Sequence, residues 1–186
     1  MPAEIRIYFE GDKLLKPGFD TFFGELRRRA REIRCEFRLI SSKSGEQAQH
    51  DFEASLQANR SAWSILLRDS EGPLRRRPAY AHSERAFWMV EMMESWFHAD
   101  PAALARFYGP RFKRTALKAN PNIERIPKKD LEKGLRAAIV KTTKGNYFDN
   151  KTSHGPQLLA AIDPNLVRQA APNCNRLFQA ILTHLN

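Results

Sequence analysis

Residues 64–73 read Ser-Ile-Leu-Leu-Arg-Asp-Ser-Glu-Gly-Pro. Three consecutive apolar residues, Ile65, Leu66 and Leu67, give way to charge and then to the turn formers Gly72 and Pro73. A short apolar run bounded in this way predicts a strand buried on both faces of a parallel sheet. Its C-terminal end carries Asp69 and Glu71 at i and i+2, which point to the same side if the chain stays extended. Ligands of open α/β sheets bind just beyond the carboxyl ends of strands. An acidic pair there is costly unless something positive, usually a divalent cation, lies between the charges. The same two acids also suit an ordinary solvated loop.

Upstream, Ile5, Ile7 and Phe9 alternate along a first strand that ends in Glu10-Gly11-Asp12. Pro17-Gly18 opens a helix in which Phe19, Phe22, Phe23, Leu26, Ala30 and Ile33 follow the 3.6-residue period. Arg27, Arg28, Arg31 and Arg34 fall on its other faces and read as a solvated helix surface. Residues 37–40 suit a second strand, and residues 46–59 a helix with Ala48, Phe52 and Leu56 inward. Residues 65–68 come third among the strands. The order β-α-β-α-β predicts a parallel sheet with right-handed crossovers.

Beyond the acidic pair, Arg75, Arg76 and Arg77 form a basic loop suited to gripping nucleic-acid phosphates. Residues 85–90 predict a fourth strand running into a helix over 91–99, with Glu91, Glu94 and His98 on one flank and His98 at the surface. Asp100-Pro101 and Asp163-Pro164 each combine an N-cap with proline at the first helical position, a role that needs no chemistry. Helices are expected over 101–108, 128–143, 156–162, 164–170 and 174–185, with a polar loop over 145–155. The fold class is therefore α/β, a mainly parallel sheet of about four strands flanked by helices, with a helical C-terminal third. Residues 1–110 form the core and residues 111–186 a helical extension packed on the same domain.

A chain of 186 residues can bury roughly 70% of its unfolded surface without staples. Cys35 and Cys174 have no metal or redox spacing and read as ordinary buried or half-buried thiols. No apolar run approaches a membrane span, and Met1-Pro2-Ala3-Glu4 lacks the features of a signal peptide, so a cytoplasmic protein is expected. The net charge of +10 favours a polyanionic partner such as nucleic acid.

If the first and third strands are neighbours, about 4.8 Å apart, Glu10, Asp69 and Glu71 converge at the top of the sheet. Oxygen ligands without histidine or cysteine suit Mg²⁺ or Mn²⁺. Such an ion polarises a phosphodiester and activates water. Glu94 is a fourth candidate acid.

Glu-Gly after a first strand, followed by Asp-x-Asp or Asp-x-Glu after a third, resembles the Toprim pattern of topoisomerases, bacterial-type primases and overcoming-lysogenization-defect nucleases. Over nearly its whole length the chain more closely resembles an uncharacterised bacterial family, domain of unknown function 4276 (DUF4276). The residues that carry this likeness are Ile7-Tyr8-Phe9-Glu10-Gly11, Asp69-Ser70-Glu71-Gly72-Pro73, Met89 to Trp96 and Ala99-Asp100. Tyr147, Lys151, His154, Leu158-Leu159 and Ile162-Asp163-Pro164 continue it.

The Toprim resemblance implies Glu10 as general acid/base or ligand, Asp69 and Glu71 as metal ligands, and Glu94 as a second-site acid. It implies Lys151 as the lysine that neutralises the transferred phosphate. The first motif lacks a longer glycine run and Glu71 stands where Asp is common, which leaves the number of metals open. The family resemblance further implies an ABC-type or related ATPase partner and a role in antiviral (phage) defence. Two functions follow: a Mg²⁺- or Mn²⁺-dependent nuclease cutting DNA or RNA, or a Toprim-like adaptor that binds nucleic acid or the ATPase and cuts nothing.

Overall fold

The computed structural model describes residues 3–58, 61–74 and 83–186. Arg75, Arg76 and Arg77 lie outside the described residues.

Four parallel strands make the sheet: β1 (Glu4–Glu10), β2 (Glu36–Ser42), β3 (Ala62–Asp69) and β4 (Ala86–Met89). Their order is β2-β1-β3-β4. The register pairs Phe9 with Leu67 and Asp69 with Met89. Glu10 and Asp69 therefore end adjacent strands on the same edge of the sheet, as the sequence pattern requires. Alternation along β1 and β3 sends Ile5, Ile7, Phe9, Ile65 and Leu67 into the larger core. Tyr8 and Leu66 face the other way, against Ala48 and Phe52 of α3 (Gly45–Ala58). Burial on both faces is what the uninterrupted Ile-Leu-Leu run foretold.

The larger core lies under α1 (Lys16–Phe22) and α2 (Gly24–Glu32). The helical period predicts one helix here, but the chain pauses at Phe23, whose ψ of 15° leaves the helical region. The hydrogen-bond ladder still crosses that residue, since Phe23 N donates to Phe19 O and Arg27 N to Phe23 O. All the aromatic residues of the period therefore stay on one face. Phe22 stacks on Trp96 with ring centroids 4.9 Å apart.

Beyond the sheet the chain is helical, with α4 (Pro101–Tyr108), α5 (Lys128–Ile139), α6 (Lys151–Ala161), α7 (Pro164–Ala170) and α8 (Pro172–Leu185), and short 3₁₀ turns between α4 and α6. Leu131, Leu135, Leu177, Phe178 and Ile181 from these helices enter the same core as β1 and β3. The Asp100 and Asp163 side chains accept from Ala103 N and Asn165 N, so both are caps as expected. Gly18 lets α1 and α6 touch, because a Cβ there would meet Pro156 O at 2.6 Å. Cys35 and Cys174 are free, buried thiols. Among the described residues, no helix is long and apolar enough to cross a membrane.

Three local expectations need correction. Residues 93–99 form a 3₁₀ rather than an α-helical segment. Glu91, in the left-handed region at φ 67°, and Met92, fully extended, break the chain before it. His98 is buried there, not exposed, and burial lowers its pKa to about 4. In the stretch expected to be a loop, α6 already begins at Lys151.

Candidate functional site

β1 and β3 end beside each other, and their last residues are bonded directly: Asp69 N donates to Glu10 Oε2 at 3.1 Å. Glu10 is further held by the first turn of α3. A Cβ on Gly45 would lie 2.7 Å from Glu10 Oε2 and 2.6 Å from the Arg68 guanidinium, so a side chain there would push these two groups from their positions.

Asp69 is the electrostatic centre. Its Oδ1 is shut off from solvent and has no hydrogen-bond partner among the described residues. Burial first, and then the charges of Glu94, Glu10 and Glu71, push its carboxyl well above the usual range; the Met93 amide pulls only weakly the other way. A buried acceptor without a donor, ringed by three like charges, is the state that a cation or a proton relieves.

Glu71 reaches the same cavity by an unexpected route. Extended backbone stops at Asp69, and Glu71 adopts φ 55° in the left-handed region, so the two acids do not project as an i, i+2 strand pair. Ser70 fixes this bend: its N–H donates to Met89 O, its Oγ accepts from Glu91 N, and its hydroxyl donates to Gly72 O. The exposed Glu71 carboxylate pairs with Lys128 Nζ at 2.6 Å. Buried Glu91 accepts from Lys128 N at 2.8 Å, which seats the start of α5 beside the cavity.

Glu94 lies on the buried 3₁₀ segment. Its Oε1 accepts from the Tyr147 hydroxyl at 3.0 Å and lies 2.8 Å from Lys151 Nζ. Desolvation and the Glu94 charge raise the Tyr147 pKa, keeping it a donor. Lys151 is thus brought to the carboxylates.

The resulting cavity is about 300 Å³, with Glu10, Asp12, Asp69, Glu71 and Glu94 as its acids and Lys43, Lys128 and Lys151 as its bases. Lys43 and Lys128 gave no signal in the sequence. Lys128 stands 57 residues from its partner Glu71, and Lys43 follows β2 with no motif around it. Tyr147, which entered only through the family likeness, has the task of holding Glu94. His154 bonds Tyr108 rather than an acid of the cavity, with 3.4 Å between Tyr108 Oη and His154 Nδ1.

A hard cation fits the donor chemistry, since the acids are all oxygen ligands and Asp69 Oδ1 lacks a partner. Among the described residues, however, no three Asp, Glu, His or Cys side chains are already grouped at ligand spacing. Lys128 and Lys151 each hold one of the acids.

The model of the family described as domain of unknown function (DUF4276) matches residues 12–182. The chain belongs to this family. Asp69, Glu71, Glu94, Lys128, Tyr147 and Lys151 of this DUF4276 protein fall inside the matched region, whereas Glu10 and Gly11 precede it. No curated protein and no solved structure matches the chain.

Proposed function

We propose that this DUF4276 protein is a Toprim-like, divalent-metal-dependent nuclease acting on DNA or RNA. The observation that carries the reading is Asp69 with its buried, unpartnered Oδ1 among Glu10, Glu71 and Glu94 at the carboxyl ends of adjacent parallel strands. Glu10, Asp69, Glu71 and Glu94 would hold Mg²⁺ or Mn²⁺, which when bound polarises the phosphodiester and activates water. Glu10, which accepts from Asp69 N–H, would take a proton from attacking water. Lys151 would neutralise charge on the transferred phosphate, and Lys43 and Lys128, which line the same cavity, would hold the substrate's phosphates. An ATPase partner in phage defence would gate the reaction.

The test is cleavage of single- and double-stranded DNA, RNA and tRNA with Mn²⁺, with and without an ATPase partner of this kind. Cleavage that disappears in Glu10→Gln and Asp69→Asn, with nucleic-acid affinity retained, is expected. Binding without cleavage under every condition would favour the second reading, a non-catalytic adaptor. That reading draws on the same basic charge and on the two acids already engaged by lysines.

A further inference from the structure

The positive charge of this protein is concentrated in one segment. Residues 111–144 carry eleven lysines and arginines against Glu124, Asp130 and Glu132, a net +8 out of +10 for the whole chain. Its helix, α5, shows Lys129, Lys133 and Arg136 at i, i+4 and i+7, all exposed and on one face. With Glu132, Ala137 and Val140 they line a groove in which three cations outnumber one acid, and Val140 is 75% exposed.

Among the described residues, none of these three cations forms an ion pair. On the basic helix α2, by contrast, Arg28 pairs with Glu32 and Arg29 with Glu25. The α5 face also leads to the cavity. The helix starts at Lys128 on Glu71, and Arg136 lies over the Phe148 ring, 4.1 Å from its centroid. Lys151 Nζ approaches the same ring at 5.3 Å, so the basic face and the cavity share a neighbour at Phe148.

We propose that the outer face of α5 is the docking track for the nucleic-acid backbone, with Lys129, Lys133 and Arg136 each meeting a phosphate. This rests on the nuclease reading for its choice of nucleic acid among polyanions. Unpaired, exposed cations release counterions when they meet phosphates, whereas cations already paired on α2 gain less. The track feeds the cavity at Lys128 and Lys151, and its grip requires no metal.

The experiment measures binding of fluorescent single-stranded DNA, single-stranded RNA and duplex DNA to the full chain in EDTA, between 50 and 200 mM salt. Lys129→Ala/Lys133→Ala/Arg136→Ala is compared with Arg27→Ala/Arg28→Ala/Arg29→Ala, which removes the same charge from the ion-paired arginines of α2. The α5 variant should bind more weakly, with the log–log salt slope for duplex reduced by about 0.9 per lost contact. The α2 variant should bind as the parent does. Equal losses in both variants, or no loss in the α5 variant, would overturn the track. So would binding to phosphatidylserine vesicles without binding to any oligonucleotide. Mn²⁺ calorimetry on the parent chain separates the two readings, because the carboxylate site can fail there while EDTA-resistant binding through α5 stands, and the reverse.

Discussion

Lys151 Nζ lies 2.8 Å from Glu94 Oε1, an ion pair between the first residue of α6 and a buried 3₁₀ segment. The lysine end is half exposed and the glutamate end is buried. Among the described residues, losing the lysine leaves Glu94 with the Tyr147 hydroxyl. Lys151→Ala should therefore cost about 1–2 kcal/mol at neutral pH, below the 3–5 kcal/mol of a fully buried pair. Under the nuclease reading it should lower kcat with little change in nucleic-acid affinity, a loss confined to the transition state. Chemical denaturation and single-turnover cleavage read the two effects separately.

Asp69 should make the apo protein less stable as pH rises. Its folded-state pKa is raised above the unfolded value, so the folded form binds the proton more tightly. The associated stability is full below the ordinary aspartate pKa of about 3.9. It is lost as pH climbs through the raised folded value. Asp69→Asn should remove that decline and raise Tm at neutral pH by a few degrees, since roughly 1 kcal/mol moves Tm about 2–4 °C at this size. Melting curves from pH 4 to 8 check it. A large loss of stability in Asp69→Asn would instead mark Asp69 as a structural hydrogen-bonding residue.

Gly45→Ala ought to be harmful even though alanine favours a helix by about 1 kcal/mol over glycine. The added methyl would meet Glu10 Oε2 and the Arg68 guanidinium inside van der Waals contact. Both atoms end flexible side chains that can shift, so the loss of stability should fall below the roughly 1–3 kcal/mol of overpacking against rigid surroundings. The displaced Glu10 should also weaken Mn²⁺ binding, measured by calorimetry alongside denaturant unfolding.

Lys128→Ala tests whether the lysines compete with a cation. The pair with Glu71 is exposed, so stability should change by less than about 1 kcal/mol. Freed from Lys128, Glu71 should bind Mn²⁺ more tightly in the absence of nucleic acid. Calorimetric titration of parent and variant at one pH gives the comparison, and an unchanged affinity would place Glu71 outside the metal's ligands.

Much of the framework was legible because it depends on local periodicity. Ile5, Ile7 and Phe9 alternate, Ile65 to Leu67 run unbroken, and Asp100-Pro101 and Asp163-Pro164 cap helices; none of these needs a distant partner to be read. The apolar pattern put Glu10 and Asp69 at strand ends, and parallel pairing of β1 with β3 brought them together. The bend at Ser70 was not legible, because extended backbone beyond Asp69 and a left-handed Glu71 are both compatible with Asp-Ser-Glu-Gly-Pro. Hydrogen bonds to Met89 and Glu91 from the next strand decide between them.

What the sequence determined by itself was an α/β chain with acids at the ends of two strands and an excess of positive charge. Tertiary structure alone decided how those acids are held. Lys128 meets Glu71 across 57 residues and Tyr147 meets Glu94 across 53. His98 is neutralised because α5 and the core close over its segment. Burial and the approach of distant charges are properties of packed surfaces, and residue order along a chain specifies them only once those surfaces meet.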